Sequence, residues 1–143
     1  MAISFSNHNI TFHLKRKTEL KTWIKEVIEK EKCVAGTLNY SFMSDDSLLK
    51  INREYLNHNT YTDIITFDYT EKKKVSGDIF ISIDRVRENA EKFGVGFDEE
   101  LHRVMIHGVL HLCGYKDKSK TESEVMRKKE NSALRILKSP KRG

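Results

Sequence analysis

Residues 104–112 read VMIHGVLHL, an apolar run interrupted only by two histidines. A helix this apolar has to be covered on most of its sides. The chain must therefore surround it with other layers of secondary structure. His107 and His111 stand four residues apart, so they share one helix face, one turn from each other. A buried imidazole needs a polar partner, because an unpaired ring is costly to desolvate. Two kinds of partner are open: separate hydrogen bonds, or a single metal ion on which both rings close.

The rest of the sequence supplies the layers. Residues 3–14 alternate loosely and predict one or two short strands. An amphipathic helix is expected over residues 18–32, with Thr18 as N-cap and Leu20, Trp23, Ile24, Val27 and Ile28 on one face. Residues 34–43 alternate as a strand, and a second helix follows, capped by Ser44 or Asp45. Two β-rich segments, 62–69 and 76–83, flank the charged turn EKKK at 71–74. Asp84 is placed to cap a helix that Gly94 ends. Asp98 is placed to cap the histidine helix, which Gly114 stops. Thr121 and Glu124 have the spacing of a capping box for a last helix. The order β-α-β-α-β-β-α-α-α predicts an α+β fold, a sheet of about four strands packed with about five helices.

A length of 143 residues fits a single domain, here 1–143, with a basic tail at 138–143. Hydrophobic residues make up 38% and charged residues 33%, which suits a water-soluble chain. No apolar run approaches the roughly 20 residues that cross a bilayer. The N-terminus is polar and lacks the build of a secretory signal, so a cytoplasmic location is expected. Cys33 and Cys113, without a CxxC pattern, fit reduced thiols. The net charge of +5 is concentrated at one end: residues 127–143 hold seven Lys/Arg and one Glu. The other 126 residues carry 19 positive and 20 negative charges. A basic end can attract a polyanion such as RNA, or simply stay solvated.

The run after the histidines adds a third candidate ligand. The pattern is HxxxHxxGxxD, with Gly114 three residues after His111 and Asp117 six after. Glycine can take a positive φ and turn the chain out of the helix, folding residue 117 back over the histidine face. The long zincin motif brings in its third ligand in this way. His107, His111 and Asp117 are thus the candidate metal ligands, and Zn2+, or another divalent ion, the candidate cofactor. The glutamate that serves as base in HExxH peptidases is replaced by Gly108, which argues against peptide hydrolysis. Cys113 reads as core or as a neighbour of the ligands, and His102 as surface. His58, in the loop NHNTY, has no spacing signal.

At this point the sequence resembles the YbeY family of bacterial metal-dependent endoribonucleases, also called rRNA maturation factors. The resemblance is carried by INREYLNHNTYTDIITFDY, SGDIFISIDRVRENAEKFG and ELHRVMIHGVLHLCGYKD. The family signature resembles HGxLHLxGYDH, whose first two histidines fall on His107 and His111. Its third falls on Asp117, since KD stands where the family has DH. A carboxylate in place of the third imidazole leaves the site less positive, with a less acidic bound water and a preference shifted toward harder ions. The family's arginine after the tyrosine of LNxxY is replaced by Leu56, after Tyr55, and the proline before its T[DN] by Tyr61.

The resemblance implies an α+β fold with a mixed sheet and the metal helix packed beneath it. It implies cleavage of single-stranded RNA, maturation of the 16S rRNA 3′ end and ribosome quality control. Its implied partners are rRNA and small-subunit assembly components. The hydrolysis would use a metal-bound water, and no general base is assigned by sequence. Two rivals stand beside this reading: a ribosome-assembly factor with a structural metal, and a zinc peptidase, which Gly108 disfavours.

Overall fold

In the computed structural model, which describes residues 2–138, nine elements follow the expected order. They are β1 (Ala2–Asn7), α1 (Lys17–Lys30), β2 (Val34–Met43), α2 (Asp45–Leu56), β3 (Ile64–Asp68) and β4 (Lys74–Ser82), then α3 (Ile83–Phe93), α4 (Phe97–Leu112) and α5 (Lys120–Lys138). The fold is α+β, a four-stranded sheet with five helices. The strand order is β1-β2-β4-β3. β1 runs parallel to β2, and β2 parallel to β4. β3 is antiparallel to β4, so the sheet is mixed. Only one strand forms in the N-terminal segment. Asn9 takes a positive φ and the chain leaves the sheet, while Phe12 and Leu14 still pack on the core.

Alternation along the strands sends side chains to two cores. Leu38, Tyr40, Phe42, Ile79 and Ile81 join α1, α4 and α5 in the larger one. Met43, Ile65, Phe67 and Phe80 join Leu48 and Ile51 of α2 in the smaller one. Helix α4 is buried along most of its length, as its composition requires: Leu101, Val104, Met105, Ile106, Val109, Leu110 and Leu112 are all in the core. Two hydrogen bonds fix its surroundings. The hydroxyl of the fully buried Tyr40 donates to the Met105 carbonyl of α4 at 3.0 Å. The Trp23 indole N–H of α1 donates to the Ala133 carbonyl of α5 at 2.7 Å.

Four of the five helix starts, those of α1, α3, α4 and α5, lie two residues before the cap read from sequence. Ser44 does cap α2, accepting from the Ser47 N–H at 3.2 Å. Helix α1 begins after Arg16, in the left-handed region, with Thr18 already inside. Ser82 caps α3, and Asp84 instead accepts from the Asp45 N–H at the start of α2. Gly96 is the N-cap of α4, leaving Asp98 in the first turn, where its charge suits the helix dipole. The capping box of α5 is Ser119 with Glu122, each accepting from the other's N–H at 3.1 and 3.0 Å. The expected basic tail, from about residue 138, meets the end of α5. Lys138 ends α5 and pairs with Glu99 at 3.4 Å, while residues 139–143 lie outside the described residues.

Candidate metal centre

The end of α4 builds the site. After Cys113 the Tyr115 N–H bonds to the Leu110 carbonyl, and the Gly114 N–H to the His111 carbonyl, both at 3.0 Å. This is the Schellman pattern, and Gly114 has the positive φ it needs, 111°. The turn carries the chain back across the face of His107 and His111. The Ser123 hydroxyl then holds the Asp117 carbonyl at 2.9 Å, and the α5 capping box follows directly.

Asp117 consequently meets both histidines. Its Oδ2 lies 3.2 Å from His107 Nε2 and 3.5 Å from His111 Nε2. One ligand atom from each residue lies within 4.8 Å of the others, a group that could hold a metal ion. The spacing suits zinc: tetrahedral ligands about 2.1 Å from the ion stand about 3.4 Å from each other.

Tautomers suit it as well. The far nitrogen of each ring is already engaged. His107 Nδ1 lies 2.6 Å from Glu130 Oε2, and His111 Nδ1 lies 2.9 Å from the Tyr115 carbonyl. A carbonyl can only accept, so His111 donates from Nδ1, which leaves Nε2 as the ring atom turned toward Asp117 and available to a metal. Carboxylate or carbonyl partners of this kind orient metal-binding histidines. The Schellman turn thus both delivers Asp117 and supplies the carbonyl that aims His111.

Glu130, on α5, is the buried member of this arrangement. Arg103 donates to its Oε1 at 2.9 Å and to Asn131 Oδ1 at the same distance. Burial alone would raise the Glu130 pKa, but hydrogen bonds from His107 and Arg103 hold it below the usual carboxylate range. Burial works against a proton on His107, and the hydrogen bond and charge of Glu130 outweigh it, raising that pKa. A cavity of about 280 Å³ opens beside these groups, bordered by His107, Asp117, Asp63, Glu100, Arg103 and Arg127. Burial raises the pKa of both Asp63 and Glu100 there. The larger cavity, about 820 Å³ between α2 and strands β3 and β4, is lined by none of the three candidate ligands.

The chain matches the family described as Endoribonuclease YbeY over residues 3–138. It belongs to that family. The YbeY of Parabacteroides distasonis is 51% identical over 137 residues, covering 96% of each chain. That of Flavobacterium psychrophilum is 52% identical over 135 residues, covering 94% of this chain and 96% of its own. The solution structure of TM1509 from Thermotoga maritima superposes with a TM-score of 0.65 at 29% identity, over 98% of this chain and 94% of that one.

Gly108, where a peptidase of the HExxH type has its base, faces β3 and β4 of the sheet. A Cβ there would lie 2.9 Å from Ile64 Cδ1 and 3.3 Å from Ile79 Cγ2. The position belongs to helix–sheet packing and has no room for a glutamate. Cys113 is half-buried and stands against Cys33; burial first, then Cys33 and Glu31, push its thiol up to about 12. It is no member of the candidate metal group. His102, read as surface, is buried at 8% exposure and packs edge-on to Trp23. Its side of α4 faces the α1 layer, which the position of one helix in a sequence does not reveal. His58, which carried no spacing signal, is exposed and does not border the cavity.

Sequence reasoning missed Glu130, Arg103 and Asp63. Glu130 is the one acid of RKKENSALRILKSPKRG, and that isolation was its only signal.

Proposed function

We propose that the protein is a metal-dependent endoribonuclease that hydrolyses phosphodiester bonds of single-stranded RNA. Its ligands are His107, His111 and Asp117, and its metal is Zn2+ or another divalent ion. The observation that carries this reading is the convergence of both Nε2 atoms and Asp117 Oδ2 at 3.2 and 3.5 Å while each Nδ1 is held from behind. The names borne by relatives of about half-identical sequence support the substrate class. A divalent ion at such a site supplies Lewis acidity and a water that ionises near neutral pH.

The chain's own residues do the rest. Glu130 and the Tyr115 carbonyl keep the protons of His107 and His111 on Nδ1, away from the centre. Arg103 keeps Glu130 ionised inside the fold. Asp63, a half-buried carboxyl on the wall of the same cavity that feels the charge of His107, is the candidate for handling a proton there. The reading extends to maturation of the 16S rRNA 3′ end and ribosome quality control in the cytoplasm, by one domain spanning residues 1–143. Among the described residues no helix is long and apolar enough to cross a membrane.

The rival in which the metal is purely structural calls for a fourth protein ligand. Cys113, the thiol nearest His111 in sequence, stands against Cys33 and outside the candidate metal group, which supports the enzyme reading. The test is cleavage of a labelled single-stranded RNA bearing an rRNA 3′-end sequence. Wild-type cleavage that a chelator and His111→Ala both abolish is the expected result. Equal cleavage by wild type and mutant, or RNA bound and left intact, overturns the nuclease reading.

A further inference from the structure

The cavity beside His107 and Asp117 poses an electrostatic problem. Four carboxyl groups border it, Asp63, Glu100, Asp117 and Glu130, against the two guanidiniums of Arg103 and Arg127. A phosphodiester entering there has to find a cation free to turn toward it. Arg103 is already committed: its side chain is 18% exposed, and it donates to Glu130 and Asn131, each at 2.9 Å. Arg127 is placed differently. It lies three residues before Glu130 on α5, hence on the same helix face. Its side chain is 60% exposed, and its ion pair with Glu130 Oε1 is 3.8 Å long, beyond hydrogen-bond range. The next lysines point elsewhere: Lys128 and Lys129 line the groove between α1 and α5, where Lys129 pairs with Glu31 at 3.0 Å.

Among the described cations at this cavity, Arg127 therefore combines exposure, a weak existing partner and a position on the wall next to the candidate ligands. A guanidinium presents a planar fork that matches two phosphate oxygens, a geometry lysine lacks. We propose that Arg127 is the phosphate-binding residue of this cleft, gripping a backbone phosphate of the RNA strand whose scissile bond lies at His107, His111 and Asp117. The inference rests on the endoribonuclease reading and deepens it. The long pair with Glu130 holds Arg127 at the cavity wall without consuming its donors.

The test is direct binding of a short fluorescent 2′-O-methyl oligoribonucleotide, shown intact by gel after each titration, to the metal-loaded protein over a series of salt concentrations. Arg127→Gln is expected to weaken binding about tenfold at low salt and to lower the salt slope by about 0.7, one phosphate contact on a single strand. Arg127→Lys should keep the slope and recover only part of the affinity. Lys128→Gln removes the same charge one residue away and should change both quantities far less. Metal content of Arg127→Gln, read by elemental analysis, should equal wild type, which separates phosphate binding from support of Glu130. Equal losses in Arg127→Gln and Lys128→Gln would overturn the proposal, and so would a wild type that does not bind the strand. The parent reading fails separately: a wild type that binds RNA through Arg127 yet cleaves none sinks the nuclease and leaves this contact standing.

Discussion

Glu130→Gln is the substitution that asks most of this site. The carboxylate is 6% exposed and accepts from Arg103 at 2.9 Å while lying 2.6 Å from His107 Nδ1. Glutamine keeps the shape but offers one acceptor oxygen where there were two. If that oxygen stays with Arg103, the amide N–H2 faces His107. The ring must then either tolerate two opposed donors or move its proton to Nε2, the atom the metal requires. Loss of one buried charged hydrogen bond costs about 1.5–3 kcal/mol. Carried onto metal binding, that is about a 10- to 100-fold loss of affinity, the range known for such outer partners. The assay is competition with a chelator of known affinity, with elemental analysis for stoichiometry. The metal-free protein gives an independent readout. Glu130 has a lowered pKa, so its stabilisation fades as pH falls through a value below 4.5. His107 has a raised pKa, so its stabilisation is full below 6.5 and fades as pH rises through a value above it. The melting-temperature gap between metal-free wild type and Glu130→Gln should therefore be widest between about pH 4.5 and 6.5. A mutant that holds metal as tightly as wild type would refute the reasoning.

Asp117→Ala should lose most of its metal while keeping the fold, since the side chain is 38% exposed and its backbone is held by Ser123; full occupancy by elemental analysis would remove it from the ligand set. Gly108→Glu should destabilise by more than about 3 kcal/mol, because overpacking against β3 adds to burial of a charge. Gly108→Ala should stay within about 1 kcal/mol of wild type, helix propensity offsetting the contact with the flexible end of Ile64; chemical denaturation compares the two, and a stable Gly108→Glu protein contradicts the packing account. Burial lowers the pKa of His102 from 6.5, so its contribution to stability is full above that pH and is lost as pH falls through the folded value. His102→Gln should flatten the acid limb of a melting curve measured against pH, and an unchanged limb counts against buried His102 as its source.

The legible part of the site was the part written in consecutive residues. His107 and His111 are joined by helix periodicity, and Asp117 by a glycine whose positive φ the turn demands. The sheet followed from alternation in residues 34–43 and from the β-branched and aromatic content of 62–69 and 76–83. What sequence could not give was contact between distant elements. Glu130 is 23 residues from His107, and only the packing of α5 on α4 brings them together. His102 looked exposed because periodicity sorts residues onto faces without saying what covers each face; Trp23 of α1 covers this one. The cap assignments failed for a smaller reason. Ser82, Asp84, Asp98, Ser119 and Thr121 are all competent caps, and the choice depends on where neighbouring elements place the first free N–H groups.

The apolar character of α4 and its two histidines serve one arrangement. A ligand set works only if its side chains are held before the ion arrives. Here every support is a buried or capped element: Tyr40 fixes the middle of α4, the Schellman turn aims His111, and the α5 capping box pins the backbone beyond Asp117. Gly108 lets α4 sit close enough to β3 for this packing to form. The same close approach that leaves no space for a peptidase glutamate thus contributes to the rigidity of the centre.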